Sequence, residues 1–325
     1  MARLGFILQR LVKGVFIVLV IAIINFILLR LAPGDPVAVM AGQSGAMDPE
    51  VMAELRERFG LDQPMVVQLL RYLETLARGD LGVSYRQGIP VLELVGERLP
   101  ATLLLTISAA ILSITLGIVA GTLAARFRGT WADAAISALA LLFYATPLFW
   151  IGLMAILLFS LQLGWFPAFG MTTADARYTG LAHVLDVAHH LVLPMSVLGL
   201  FYMAVYARLT RASVIEVSEL DFVRTARAKG LSEARITRQH ILRNALLPVI
   251  TFAGIQAGHL IGGTVLVETV FGWPGIGRLA FDSLLQRDYS VLLGIFLITS
   301  ALVVVFNLIT DIVYTMVDPR IEVSQ

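Results

Sequence analysis

Apolar residues run along this chain in long blocks, separated by short polar stretches. Six blocks reach the roughly 20 mostly apolar residues that a membrane crossing needs. They cover about Leu11–Leu29, Ala101–Ala125, Ala134–Leu161, Leu191–Ala207, Leu246–Val270 and Val291–Met316. The pattern between the first two blocks is different. "MDPEVMAELRERFG" offers Asp48 as an N-cap, Pro49 at the first helical position and Gly60 as a stop. "QPMVVQLLRYLETLARGD" spaces its apolar residues by three and four before Gly79, and "IPVLELVGERLP" predicts a third short helix. The expected fold class is an all-α integral membrane protein of six transmembrane helices, with a small helical insertion after the first.

Charge orients that arrangement. One set of loops takes Arg3, Arg10, Lys13, Arg126, Arg128, the eight Lys and Arg from Arg208 to Arg243, and Arg320. The opposite short loops hold Arg177, Arg278 and Arg287. The first set marks the cytoplasmic side by the positive-inside rule. Both termini then lie in the cytoplasm and the 31–99 segment outside. The expected organisation is a cytoplasmic N-terminus and first helix (1–30), an extracytoplasmic helical loop (31–99), a five-helix core (100–316) containing a cytoplasmic loop (208–245), and a cytoplasmic tail (317–325). Mean hydropathy is +0.84 and 14% of the residues are charged, against about a quarter in soluble domains. There is no Cys, so disulfides, thiolate metal sites and Cys nucleophiles are excluded.

The cytoplasmic stretch "DFVRTARAKGLSEARITRQHILRNALLP", Asp221–Pro248, carries six Lys or Arg against two acids. Its pattern predicts a helix from Val214 to Lys229, a turn at Gly230 with positive φ, and a second helix capped by Ser232 with Glu233 in its first turn. The small residues Thr225, Ala226 and Ala228 keep the first helix slim. A slim knob with a basic rim fits a groove on a partner protein. The competing physical reading is a basic interfacial helix on anionic lipid, which ordinarily shows a broader apolar face.

Other motifs carry less. "GIGRLA", Gly275–Ala280, matches a loose dinucleotide pattern but follows a membrane block rather than a strand. It is read as a tight turn with Trp273 at the interface. The two lysines, Lys13 and Lys229, each precede Gly rather than Ser or Thr, so no phosphate loop is predicted. His183, His189 and His190 are placed in an outer loop without the acid–His spacing of a metal cage. Within the membrane blocks, Gln256, His259 and Glu268 are candidates for a translocation path. Gly254, Gly258 and Gly262, with Gly117 and Gly121, have the spacing of close helix packing. Pro147 and Pro194 permit kinks or ends.

Taken in order, "LAPGDP", "FGLDQP", "RGDLGVSY", "RLPATLLL", "RTARAKGL", "HILRNALLP" and "VETVFGWPGIG" resemble permease subunits of binding-protein-dependent ABC importers, in the dipeptide, oligopeptide and nickel branch. The 221–248 stretch resembles that family's EAA loop. With Gly230 as the motif glycine, Glu-Ala-Ala falls on Arg224, Thr225 and Ala226, and Ala226 alone matches. The resemblance implies that Asp221, Arg224, Thr225, Ala226, Arg227, Ala228, Lys229, Gly230, Ser232 and Glu233 contact an ATPase subunit. It also implies a homologous second permease, two ATPases that bind ATP and Mg, an extracytoplasmic substrate-binding protein and a peptide substrate. It places the chain in a bacterial inner membrane, in contact with lipid. No nucleic acid, and no catalytic, metal or cofactor site in this chain, is implied. Nickel chelates, glutathione and oligosaccharides are alternative cargoes of the same branch. An ion-coupled secondary carrier is the rival mechanism; its expected repeats and interrupted midplane helices are not evident in the sequence.

Overall fold

The computed structural model describes residues 2–31, 62–84 and 86–317. The helix around Asp48–Gly60 and the tail from 318 lie outside the described residues. All the regular elements described are helical, with one isolated bridge between Val83 and Pro90. In chain order the helices are α1 (Ala2–Leu31), α2 (Met65–Ala77), α3 (Val91–Arg126), α4 (Trp131–Ala145), α5 (Leu148–Ala155) with a π turn (Ile156–Gln162), and α6 (Leu181–Ser218). Then come α7 (Asp221–Ala228), α8 (Glu233–Ile236), a second π turn (Thr237–Ile241), α9 (Leu242–Ala245), α10 (Leu247–Val270), α11 (Ile276–Gln286) and α12 (Tyr289–Val317). Among the described residues, α1, α3, α6 and α12 are long and apolar enough to cross a membrane.

Several elements differ from the sequence expectation. The predicted third span, Ala134–Leu161, is two helical pieces bent by 102°. The break falls at Thr146–Pro147, where Thr146 is extended (φ −83°, ψ 135°). A residue before proline is pushed out of the α region, and Pro147 has no N–H to continue the ladder. The expected fourth span is the middle of a 38-residue helix, α6, which keeps Pro194 in its interior. His183, His189 and His190 therefore lie on that helix and not in a loop. The short helix expected before Leu99 is the start of α3, which runs through Pro100 without interruption.

The chain forms two compact units. The first draws on Met1–Leu99 and Leu279–Leu308. In it, Phe26 of α1 meets Tyr72 of α2 with ring centroids 5.7 Å apart. Ser84 donates to the Asp288 carboxylate at 2.5 Å. The second unit draws on Pro100–Arg278 and Ile309–Glu322 and holds the candidate site. Its main core gathers Leu105, Ile156, Leu198, Val267, Phe271 and Trp273. Gly117 and Gly121 bring α3 against α6: a Cβ at Gly117 would overlap Tyr206, and one at Gly121 would overlap the Ala207 carbonyl. Gly254 lies equally close to Thr310.

Candidate functional site

Helix α6 ends at Ser218, and the expected continuous helix to Lys229 is interrupted. The Ser218 hydroxyl bonds back to the Val214 carbonyl at 2.5 Å, a contact that competes with the helix ladder. Leu220 is then extended (φ −73°, ψ 150°), which turns the chain into α7. Asp221 opens α7, where a carboxylate suits the positive end of the helix dipole.

α7 is amphipathic over two turns. Val223 and Ala226 are buried and join Val214, Ile236, Ile241 and Ala245 in a small apolar cluster. Asp221, Phe222, Arg224, Thr225, Arg227, Ala228 and Lys229 are exposed. The C-terminus closes by a Schellman arrangement: the Gly230 N–H donates to Arg227 O at 2.9 Å and the Leu231 N–H to Ala226 O at 3.4 Å. Gly230 has φ +77°, a conformation glycine adopts without a Cβ penalty. Leu231 packs on the same cluster as Ala226, completing the apolar contact that usually accompanies this cap.

Ser232 takes the N-cap position of α8, but its hydroxyl makes no cap hydrogen bond. Glu233 turns instead to Arg227, whose Nε donates at 2.8 Å and Nη2 at 3.4 Å. That contact holds the Glu233 carboxyl below the usual carboxylate range. Of the ten residues named for ATPase contact, nine form one exposed surface around Gly230, and Ala226 lies beneath it. Two ion pairs tie the α3–α4 turn to the end of α6. Arg211 makes a two-pronged bond to Asp133 at 2.7 and 2.8 Å, and Arg128 reaches Glu219 at 2.9 Å. Neither pair was evident from sequence spacing, since 78 and 91 residues separate the partners.

The opposite end of α10 is closed. Glu268 is fully buried. Its carboxylate accepts from Thr102 Oγ1 at 2.7 Å and the Arg278 N–H at 2.9 Å. The Thr264 hydroxyl and the Gly277 N–H donate to it as well. Thr102 in turn accepts from the Ile276 N–H at 2.8 Å. Trp273, expected at the interface, is buried, and its indole donates to Ala101 O at 2.8 Å. Gly275 and Gly277 have no room for a side chain: a Cβ at either would press on the Glu268 carboxylate. "GIGRLA" is therefore a packing motif that runs into α11. Gln256 is half-buried on α10. Gly258 and Gly262 share that helix with His259, whose side chain lies outside the described set. His189 and His190 bond the Trp165 and Asp186 carbonyls, each at 2.9 Å.

Comparison with known proteins agrees with this architecture. Residues 3–106 match the N-terminal model of binding-protein-dependent transport system membrane components, and 113–323 match the inner membrane component itself. The chain is 43% identical over 323 residues to the oligopeptide transport system permease protein AppB of Bacillus subtilis, covering 98% of this chain and 99% of that one. It is 42% identical to the di/tripeptide transport system permease protein DppB of Pseudomonas aeruginosa, covering 93% and 94%. The fold is similar to that of a chain of the MetNI methionine ABC transporter in an inward-facing conformation (TM-score 0.56, 18% identity), over 70% of this chain and 97% of the other. With family matches on both sides of residue 110 and relatives alike over nearly its whole length, the chain belongs to the family of binding-protein-dependent transport system inner membrane components.

Proposed function

We propose that the chain is the permease subunit of an ATP-driven peptide importer and forms half of the translocation pathway with a homologous second permease. Peptide cargo is supported by the names of the relatives above, which are oligopeptide and di/tripeptide permeases. The arrangement proposed is six spans with both termini cytoplasmic: α1, α3, the bent α4–α5 pair, α6, α10 and α12. ATP and Mg belong to separate ATPase subunits, and an extracytoplasmic binding protein delivers the peptide. Gln256, His259 and Glu268 remain the proposed contacts along the path, with Glu268 acting from its buried cradle by fixing the end of α10.

The observation that carries the reading is the α7 knob. Val223 and Ala226 are spent on its own small cluster, and the exposed residues next to the fixed turn, Arg224 to Lys229 apart from Ala226, are small or basic, with Phe222 exposed one turn earlier. Such a surface suits a groove on a rigid partner, and closure of two ATPases on ATP would drive two knobs together and swing the helices behind them. The test is a cysteine at Ala228 in the assembled transporter. Cross-linking should capture an ATPase subunit, more strongly in one nucleotide state than in the other. Peptide uptake should stop on ATP depletion and persist with an uncoupler; the reverse pattern would indicate an ion-coupled carrier.

A further inference from the structure

A second site lies among α3, α4 and α6, away from α7. Small residues, Ala124, Ala140 and Ala207 among them, leave a cavity of about 320 Å³ among the three helices. Its lining is mostly apolar, and its polar residues are Ser137, Tyr144, Arg208 and Arg211. Arg211 is spent on Asp133, and the neighbouring pair is Arg128 with Glu219. Arg208 belongs to neither pair. Its guanidinium sits 5.6 Å from the centroid of the Tyr144 ring, and it is exposed and lines the cavity. An arginine at membrane depth is costly unless it meets an anion or water.

The surroundings fix the level of this site in the bilayer. At the α3–α4 turn, Trp131 is 84% and Phe127 43% exposed, and the Arg126 guanidinium lies over the Phe127 ring. Exposed aromatic and basic residues together mark a membrane–water interface. The Arg211–Asp133 pair binds α6 to the same level. Arg208 stands one turn back along α6, about 4.5 Å at the helical rise. On α4, Leu141 lines the cavity, and Leu139, Leu141 and Leu142 are each more than half exposed. A cation just inside the interface, an apolar lining and exposed leucines match the parts of one molecule.

We infer that this cavity binds an anionic phospholipid, its phosphate on Arg208 and one acyl chain along the apolar lining and the α4 leucines. On the topology proposed above, this is the cytoplasmic leaflet, where anionic headgroups meet basic pockets between helices. A free phosphate would satisfy Arg208 and leave the apolar lining empty. The lipid therefore acts as a wedge among three helices, one of which leads to α7.

The experiment uses the complete transporter in nanodiscs containing phosphatidylglycerol, followed by native mass spectrometry of the lipid retained in detergent. Arg208→Gln should lower retained phosphatidylglycerol about fivefold, the weight of one arginine near a membrane surface. Arg208→Lys should keep most of it. Ala140→Leu narrows the cavity with every charge intact and should lose the lipid too, so the proposal stays testable if Arg208→Gln does not assemble. Equal retention in all variants would overturn the site. So would an equal loss in Arg128→Gln, which would mean that net charge alone governs binding. Displacement of the lipid by inorganic phosphate at millimolar-scale competition would place the affinity in the headgroup alone and overturn the acyl-chain contact. A photo-crosslinker at Leu141 should yield a phospholipid adduct; an adduct with the second permease would show that a protein covers the cavity.

Discussion

The segments that precede and follow α10 use glycine for opposite reasons. In the preceding segment, Gly230 has φ +77° and open space where a Cβ would go. In the following one, Gly275 has no positive φ, and a Cβ would overlap the Glu268 carboxylate. One glycine is needed for its backbone and the other for its missing side chain. The charges differ in the same way. Glu268 is buried under four donors, whereas Arg227 and Glu233 pair on the surface. The Glu268 end of α10 is therefore an anchor, tied to the start of α3 and to the 271–278 turn. The segment before the helix is a presented surface resting on a small apolar cluster. Regions with few buried contacts open at lower cost, so movement imposed by a partner enters more easily through α7 than through the Glu268 cradle.

The strongest way to break this contrast is Glu268→Ala. It strands buried donors and leaves a cavity, at a cost of about 3–5 kcal/mol. The purified transporter should melt well below wild type or fail to accumulate in the membrane. An unchanged Tm would mean that the cradle is not an anchor. Gly275→Ala comes next, at about 1–3 kcal/mol for forcing one methyl into a packed site; Tm should fall while any assembled protein still transports. On the α7 side, stability and function should separate. Gly230→Val puts a β-branched residue in the left-handed region, worth about 1–3 kcal/mol locally. Uptake should be lost with membrane insertion intact. Gly230→Asn, which tolerates that backbone, should retain most uptake. Equal uptake in both variants would remove the turn from the mechanism.

The α7 end was far more legible in the sequence than the Glu268 end. A glycine between two charged, small-residue segments announces a turn, because the required φ is a property of the residue itself. The helix break at Ser218–Leu220 was not legible: no proline or glycine marks it, and the hydroxyl of Ser218 bonding back to Val214 is seen only in three dimensions. The long apolar blocks gave the membrane class, but apolar content does not report a bend. Pro147 suggested one but not its size, 102°. The burial of Trp273 and the cradle around Glu268 were not legible for one reason. Both stand near the end of an apolar block, where an interface or a path is the default reading. What buries them is a return of the chain through Gly275 and Gly277 on to Thr102, 166 residues from Glu268 in sequence. The Asp133–Arg211 pair is hidden in the same way.

The smallest effect is expected at the surface pair beside the turn. Arg227 donates to Glu233 across six residues, both partners are substantially exposed, and such pairs contribute about 0.5 kcal/mol or less. Its sign can still be read. Hydrogen bonding from Arg227 holds the Glu233 carboxyl below its ordinary value of 4.5, so the folded state favours the ionised form. The stabilisation is fully present above that ordinary value and is lost as pH falls through the depressed one. Glu233→Gln should therefore speed amide exchange across 226–233 by about twofold at neutral pH, with no detectable change around Glu268. The difference between variant and wild type should vanish once the pH has fallen below the depressed value, where the wild-type carboxylate is protonated, and shrink in high salt, which screens exposed pairs. A difference that persisted in acid and salt would show that Glu233 acts through packing. The α7 end would then be an anchor of the same kind as the Glu268 cradle, and movement would have to enter the bundle elsewhere.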